Sequence, residues 1–87
     1  MIKKSMTIAL KDGLDARPIA ELVQVASKYD SRIYIELGSK RVNAKSIMGM
    51  MSLELDNGDG MEVSADGADE AAAIEDIENF VTTGKTR

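Results

Sequence analysis

Two short stretches carry the side chains able to do chemistry. The first is Gly13-Leu14-Asp15-Ala16-Arg17-Pro18, in which a carboxylate and a guanidinium lie two residues apart where a helix is expected to begin. Gly13 permits a turn with positive φ, Asp15 is a good N-cap, and Pro18 falls in the first turn, where its missing N–H is tolerated. Asp15 and Arg17 therefore meet at the positive end of a helix dipole. Carboxylates do accept phosphate covalently, usually beside a metal and a lysine, yet Asp12 is the only acidic neighbour close in sequence and no metal site is suggested. The second stretch is Asn43-Ala44-Lys45-Ser46-Ile47-Met48-Gly49. Ser46 stands where an N-cap is wanted, and a phosphate on its hydroxyl would meet free N–H groups at the start of a short helix. Such a phosphate adds a charge of about −1.5 to −2, with Lys45 adjacent in sequence and Arg17 a candidate partner in space. A serine here is also an ordinary cap, and the spacing alone does not separate the two roles. Beside it, Ile47, Met48 and Met51 offer flexible, polarizable apolar contacts suited to docking, whereas Met50 and Leu53 are expected in the core.

The elements that must position these residues are legible as periodicities. Met6, Ile8 and Leu10 alternate with Ser5, Thr7 and Ala9 as a first strand, ended by the turn Lys11-Asp12-Gly13. Ile19, Leu22, Val23 and Ala26 recur at helical spacing and predict a helix running to about Tyr29. Ile33, Ile35 and Leu37 mark a second strand, Gly38-Ser39 a two-residue type II′ turn, and residues 40–43 the returning strand. A short helix follows Ser46 and carries more apolar surface than one core-facing stripe requires, so part of it should be exposed. Asp56-Asn57-Gly58-Asp59-Gly60 is a turn before a last strand through Met61, Val63 and Ala65, which Gly67 closes. Asp69 is expected to cap a final helix with Glu70 in its first turn, burying Ala73, Ile74, Ile77, Phe80 and Val81 and ending at Gly84. The order β-α-β-β-α-β-α implies an α+β open-faced β-sandwich: a four-stranded, mainly antiparallel sheet with three helices on one face.

Composition narrows the function. The 87 residues, 44% hydrophobic, read as one small domain over 1–87, which buries only about 60 to 65% of its unfolded surface and leaves little room for an enclosed active site. Cysteine is absent, so the core holds without disulfides and needs no oxidising compartment. Histidine is absent too, which removes the usual general base, the commonest metal ligand and phosphohistidine chemistry together. No enzyme class and no cofactor is favoured. Neither a signal peptide nor a long apolar run is evident, so a cytoplasmic protein is the simplest expectation. Formal charge is +4 over residues 1–45 and −8 over 46–87, a dipolar pattern unlike a nucleic-acid binder.

Taken together, residues 13–18 and 43–52, the Leu22-Val23-Gln24 to Tyr29 helix and Gly67-Ala68-Asp69-Glu70 resemble the HPr family, the phosphocarrier proteins of the sugar phosphotransferase system. The resemblance spans nearly the whole chain. In that family a histidine at the position of Asp15 takes phosphate from enzyme I and passes it to sugar-specific permease components, with an arginine matching Arg17 assisting. Lys45-Ser46-Ile47-Met48-Gly49 is similar to the regulatory serine segment of the Gram-positive branch. Loss of the histidine with retention of the serine is similar to the catabolite-repression branch (Crh), although glutamine is the usual replacement there and aspartate departs from it.

The resemblance implies that Ser46 is phosphorylated by the bifunctional HPr kinase/phosphorylase and that the phosphorylated form is corepressor for a LacI-type catabolite control protein. It places Ile47, Met48 and Met51 on the apolar docking face with Arg17, Ala20 and Lys45 around them. Asp15 has three readings: a plain N-cap, a fixed charge that tunes partner binding, or an acyl-phosphate acceptor that keeps the protein a carrier. A laboratory replacement of the histidine in an ordinary carrier fits the same residues. A monomer and a homodimer that exchanges its amino-terminal edge strand are both open.

Overall fold

Two-residue alternation is clearest at Ile33 and Ile35 and at Met61, Val63 and Ala65, and it fixes which side of those strands is buried. A computed structural model describes residues 1–10 and 16–84, with backbone alone at residues 16 and 17. The turn Lys11-Asp12-Gly13, the Asp15 position and the Arg17 side chain lie outside the described residues. The elements are β1 (Ile2–Thr7), α1 (Ala16–Ser27), β2 (Arg32–Leu37), β3 (Lys40–Asn43), α2 (Ile47–Ser52), β4 (Gly60–Asp66) and α3 (Glu70–Thr83). The four strands form one antiparallel sheet in the order β1-β4-β2-β3.

Met6, Met61, Val63, Ala65, Ile33 and Ile35 project to the face the helices cover, where they join Ile19, Leu22, Val25, Ala26, Ile74, Ile77, Phe80 and Val81 in one core. The other face is polar and open. There Glu36 and Glu62 stand directly opposite each other, a repulsive pairing relieved by Lys3, whose Nζ is 4.0 Å from Glu36 and 2.8 Å from Glu62, and by Arg41, 3.5 Å from Glu36. On the helix-covered side, Lys4 of the edge strand reaches Glu78 of α3 at 2.7 Å.

Three local expectations are refined. The strand expected around Met6, Ile8 and Leu10 begins earlier and its ladder stops at the Thr7 and Gly60 pair. Beyond that point Ile8 exchanges backbone hydrogen bonds with Gly58 and Asp59, and Ala9 N–H donates to the Val81 carbonyl at 2.9 Å, so the Ile8 and Leu10 side chains stay buried outside a ladder. Helix α1 ends at Ser27, and Lys28 and Tyr29 continue it as a tighter turn through i→i−3 bonds of 3.2 Å. Asp69 occupies the N-cap position of α3 but makes no capping bond with its side chain; the carboxylate accepts instead from Asp30 N–H at 2.8 Å, Ser31 N–H at 3.0 Å and the Ser31 hydroxyl. Gly38, at φ +61, turns β2 into β3 with Leu37 and Lys40 paired, as a II′ turn requires. Gly84, at φ +76, closes α3 by donating to the Phe80 carbonyl.

Candidate functional site

Ser46 is delivered by the end of β3. Asn43 makes the turn, its side-chain oxygen accepting from Lys45 N–H at 2.8 Å and its carbonyl from Ser46 N–H at 3.0 Å. Ser46 itself is extended (φ −105, ψ 113) and caps α2, its Oγ accepting from Gly49 N–H at 3.3 Å. That bond is long, so the hydroxyl is held loosely and remains exposed. Gly49 keeps the arrangement compact, because a Cβ there would come within 3.3 Å of Val42 and 3.4 Å of the Ser46 hydroxyl. At the other end of α2, Lys40 Nζ donates to the Ser52 carbonyl at 3.4 Å.

Helix α2 is too short to bury all its apolar residues. Met50 and Leu53 enter the core, and Ile47, Met48 and Met51 remain exposed at 44%, 80% and 49%. The site therefore juxtaposes an accessible hydroxyl and an uncovered apolar patch. Ala20 on α1, which packs against α2, is half-buried.

Lys45 is next to Ser46 in sequence but is directed elsewhere: its Nζ donates to the Tyr29 carbonyl at 2.6 Å, placing a cation at the C-terminal end of α1, where the helix dipole favours one. Asp15 and the Arg17 side chain, expected near this site, fall outside the described residues. No group of three or more His, Cys, Asp or Glu able to hold a metal occurs among the described residues.

Two polar clusters escaped the sequence reading. Asp76 is fully buried, accepting from the Tyr29 hydroxyl at 2.6 Å with Lys28 Nζ at 3.0 Å, and it is the partners that make such burial tolerable. The signal was present: Asp76 falls on the buried stripe of α3, three residues after Ala73 and four before Phe80. Ser31, also buried, is in phase with Ile33 and Ile35 and meets Asp69. Hydrogen bonds from the Ser31 hydroxyl and the Asp30 backbone hold the Asp69 carboxyl below its ordinary value. The Glu70 carboxyl is likewise lowered, first by Gly67 N–H and then by the amino terminus.

A family model described as PTS HPr component phosphorylation site matches residues 2–83. The chain belongs to the HPr family. It is 44% identical over 81 residues to the HPr-like protein Crh of Halalkalibacterium halodurans, covering 93% of this chain and 96% of that one. Among solved structures it is similar to HPr-C-His from Thermoanaerobacter tengcongensis, with 43% identity, a TM-score of 0.90 and full coverage of both chains. It is similar also to Bacillus subtilis Crh, with 39% identity, a TM-score of 0.77 and full coverage of both, a protein whose crystal structure is a dimer with a swapping domain. The open-faced α+β architecture is that of these HPr and Crh neighbours. The protein is thus a phosphocarrier or regulatory member of the HPr family. No described helix is long and apolar enough to cross a membrane.

Proposed function

We propose that this protein is a regulatory, Crh-like member of the family: a single domain over residues 1–87, located in the cytoplasm, phosphorylated on Ser46 by HPr kinase/phosphorylase and then bound as corepressor by a LacI-type catabolite control protein. The observation that carries the reading is the exposed Ser46 hydroxyl at the N-cap of α2, flanked by the uncovered Ile47, Met48 and Met51. A phosphate added there changes the charge of a surface already apolar and accessible, so docking becomes conditional on modification with little change of backbone. The family resemblance adds Arg17, Ala20 and Lys45 around the docking face and gives Asp15 the role of tuning it, with the Lys45 ammonium leaving the Tyr29 carbonyl to do so. With no histidine in the chain, a phosphohistidine cannot form. Neither cofactor nor catalytic step is required, and contact with the operator DNA is left to the repressor.

The family description itself names a phosphorylation site, which keeps a carrier reading in view, with Asp15 as an acyl-phosphate acceptor. Intact-mass spectrometry separates the two. Incubation with HPr kinase and ATP is expected to add one phosphate, mapped to Ser46 and absent from Ser46→Ala, while enzyme I and phosphoenolpyruvate add none. A hydroxylamine-sensitive phosphate on Asp15 in the second reaction restores the carrier; a Ser46→Ala protein that is still phosphorylated and still binds the repressor sinks the regulatory reading. Size-exclusion chromatography decides between a monomer and a dimer that exchanges β1.

A further inference from the structure

The six methionines divide into two groups of opposite environment. Met6, Met50 and Met61 are buried, at 4%, 0% and 3% exposure, whereas Met1, Met48 and Met51 are exposed. Met48 and Met51 lie three residues apart on α2 and so share one helix face, beside the Ser46 cap and Ile47. Cysteine is absent, so no thiol in the chain intercepts an oxidant before these thioethers do.

The geometry points to Met48 and Met51 as a peroxide-responsive modification site that switches off the docking face, an inference that rests on the docking role argued above. The thioether sulfur attacks an oxygen of a hydroperoxide; the new S–O bond forms as the O–O bond breaks, and the proton passes to the departing oxygen. Sulfide becomes sulfoxide, and the hydroperoxide is reduced to water or an alcohol. The product side chain is polar and chiral where the docking face needs a flexible apolar one. Because the three core methionines are shielded, oxidation at the surface leaves the fold intact and changes only what it can bind. Reduction of the sulfoxides by methionine sulfoxide reductases resets the site.

The test uses the full chain, phosphorylated on Ser46 and treated with graded hydrogen peroxide. Peptide mapping gives the order of oxidation, circular dichroism reports the fold, and calorimetry reads affinity for the catabolite control protein. Met48 and Met51 are expected to gain one oxygen each well before Met6, Met50 or Met61, with the circular dichroism spectrum unchanged and affinity lowered roughly tenfold or more, as for the loss of apolar anchors. The sulfoxide reductases restore binding. A Met48→Leu/Met51→Leu variant keeps whatever affinity it starts with after the same treatment, even though Met1 still oxidises. Oxidation of the core methionines as early as the surface pair, or undiminished binding after both surface methionines are oxidised, overturns the switch while leaving the docking reading in place; equal loss in the leucine variant does the same. Failure of the untreated phosphoprotein to bind removes the docking reading and the switch together.

Discussion

Ser46 and Asp69 stand at the same kind of place, the N-cap of a helix, and are held in opposite ways. The Ser46 hydroxyl makes a single 3.3 Å bond to its own helix and faces solvent. The Asp69 carboxylate ignores its own helix and ties three donors at the start of β2. A cap residue bonded weakly and locally can be modified without loosening anything else, whereas one bonded to a distant element is a fastening between α3 and the sheet. The same residue class in the same position thus supports chemistry in one region and architecture in the other.

The largest effect is expected where the Asp69 fastening depends on close approach. A Cβ on Gly67 would lie 2.7 Å from the Ser31 Cα and 2.7 Å from its hydroxyl, and backbone cannot yield as a side-chain tip does. Gly67→Ala should destabilise the protein by about 2–3 kcal/mol, as overpacking of a tight contact does, read as a lower urea midpoint. At temperatures where the variant is folded, Ser46 phosphorylation should proceed as before; impaired phosphorylation would mean that the two regions are coupled.

Asp69→Asn sharpens the contrast through pH. The folded carboxyl titrates below its ordinary value of 3.8, so its stabilising contribution is complete above that value and is lost as pH falls through the folded one. The wild type should therefore lose stability more steeply than Asp69→Asn on acidification below about pH 4, with the gap between the two narrowing as pH drops. Thermal melts from pH 7 to pH 2 measure it, and parallel curves would show that Asp69 carries no such linkage.

How far the sequence announced this arrangement depends on the range of the forces involved. The alternation of β2 and β4, the Gly38 turn, the Ser46 cap and the Gly84 terminator are set by residues within a few positions of each other and appear where local patterns place them; the first strand keeps the expected buried face but is shifted toward the amino terminus. The position of Asp69 was legible but its role was not, because the carboxylate turns inward only once Gly67 lets Ser31 come close. Adjacency in sequence misdirected Lys45: a long side chain chooses among carbonyls brought near by folding, and the end of α1 offers Tyr29. Asp76 was hidden for the same reason, its partners Lys28 and Tyr29 being 48 and 47 residues away and adjacent only after α1 and α3 pack. In the site itself, the exposure of Ile47, Met48 and Met51 was foreshadowed by the excess of apolar residues on so short a helix.

Smaller effects belong to α2. Ser46→Ala should cost only about 0.5–1 kcal/mol, the low end for a cap, since the bond it removes is long and exposed. A loss as large as that of Asp69→Ala would erase the distinction between the two caps. At the far end of the same helix, Glu54 is the one described non-glycine residue with positive φ, at 53°. Left-handed backbone costs an L-residue about 1–2 kcal/mol, and a glycine there would relieve it, while the added freedom of the unfolded chain takes back about 0.5–1 kcal/mol. The relief is the larger of the two, so Glu54→Gly should stabilise the protein by about 0.5 kcal/mol, the balance of those terms. Its side chain is exposed and it lies at the opposite end of α2 from the Ser46 cap, so phosphorylation by HPr kinase should be unchanged. Chemical denaturation alongside a kinase time course checks both; a faster or slower kinase reaction would show that the exit of α2, and not only its cap, governs access to the hydroxyl.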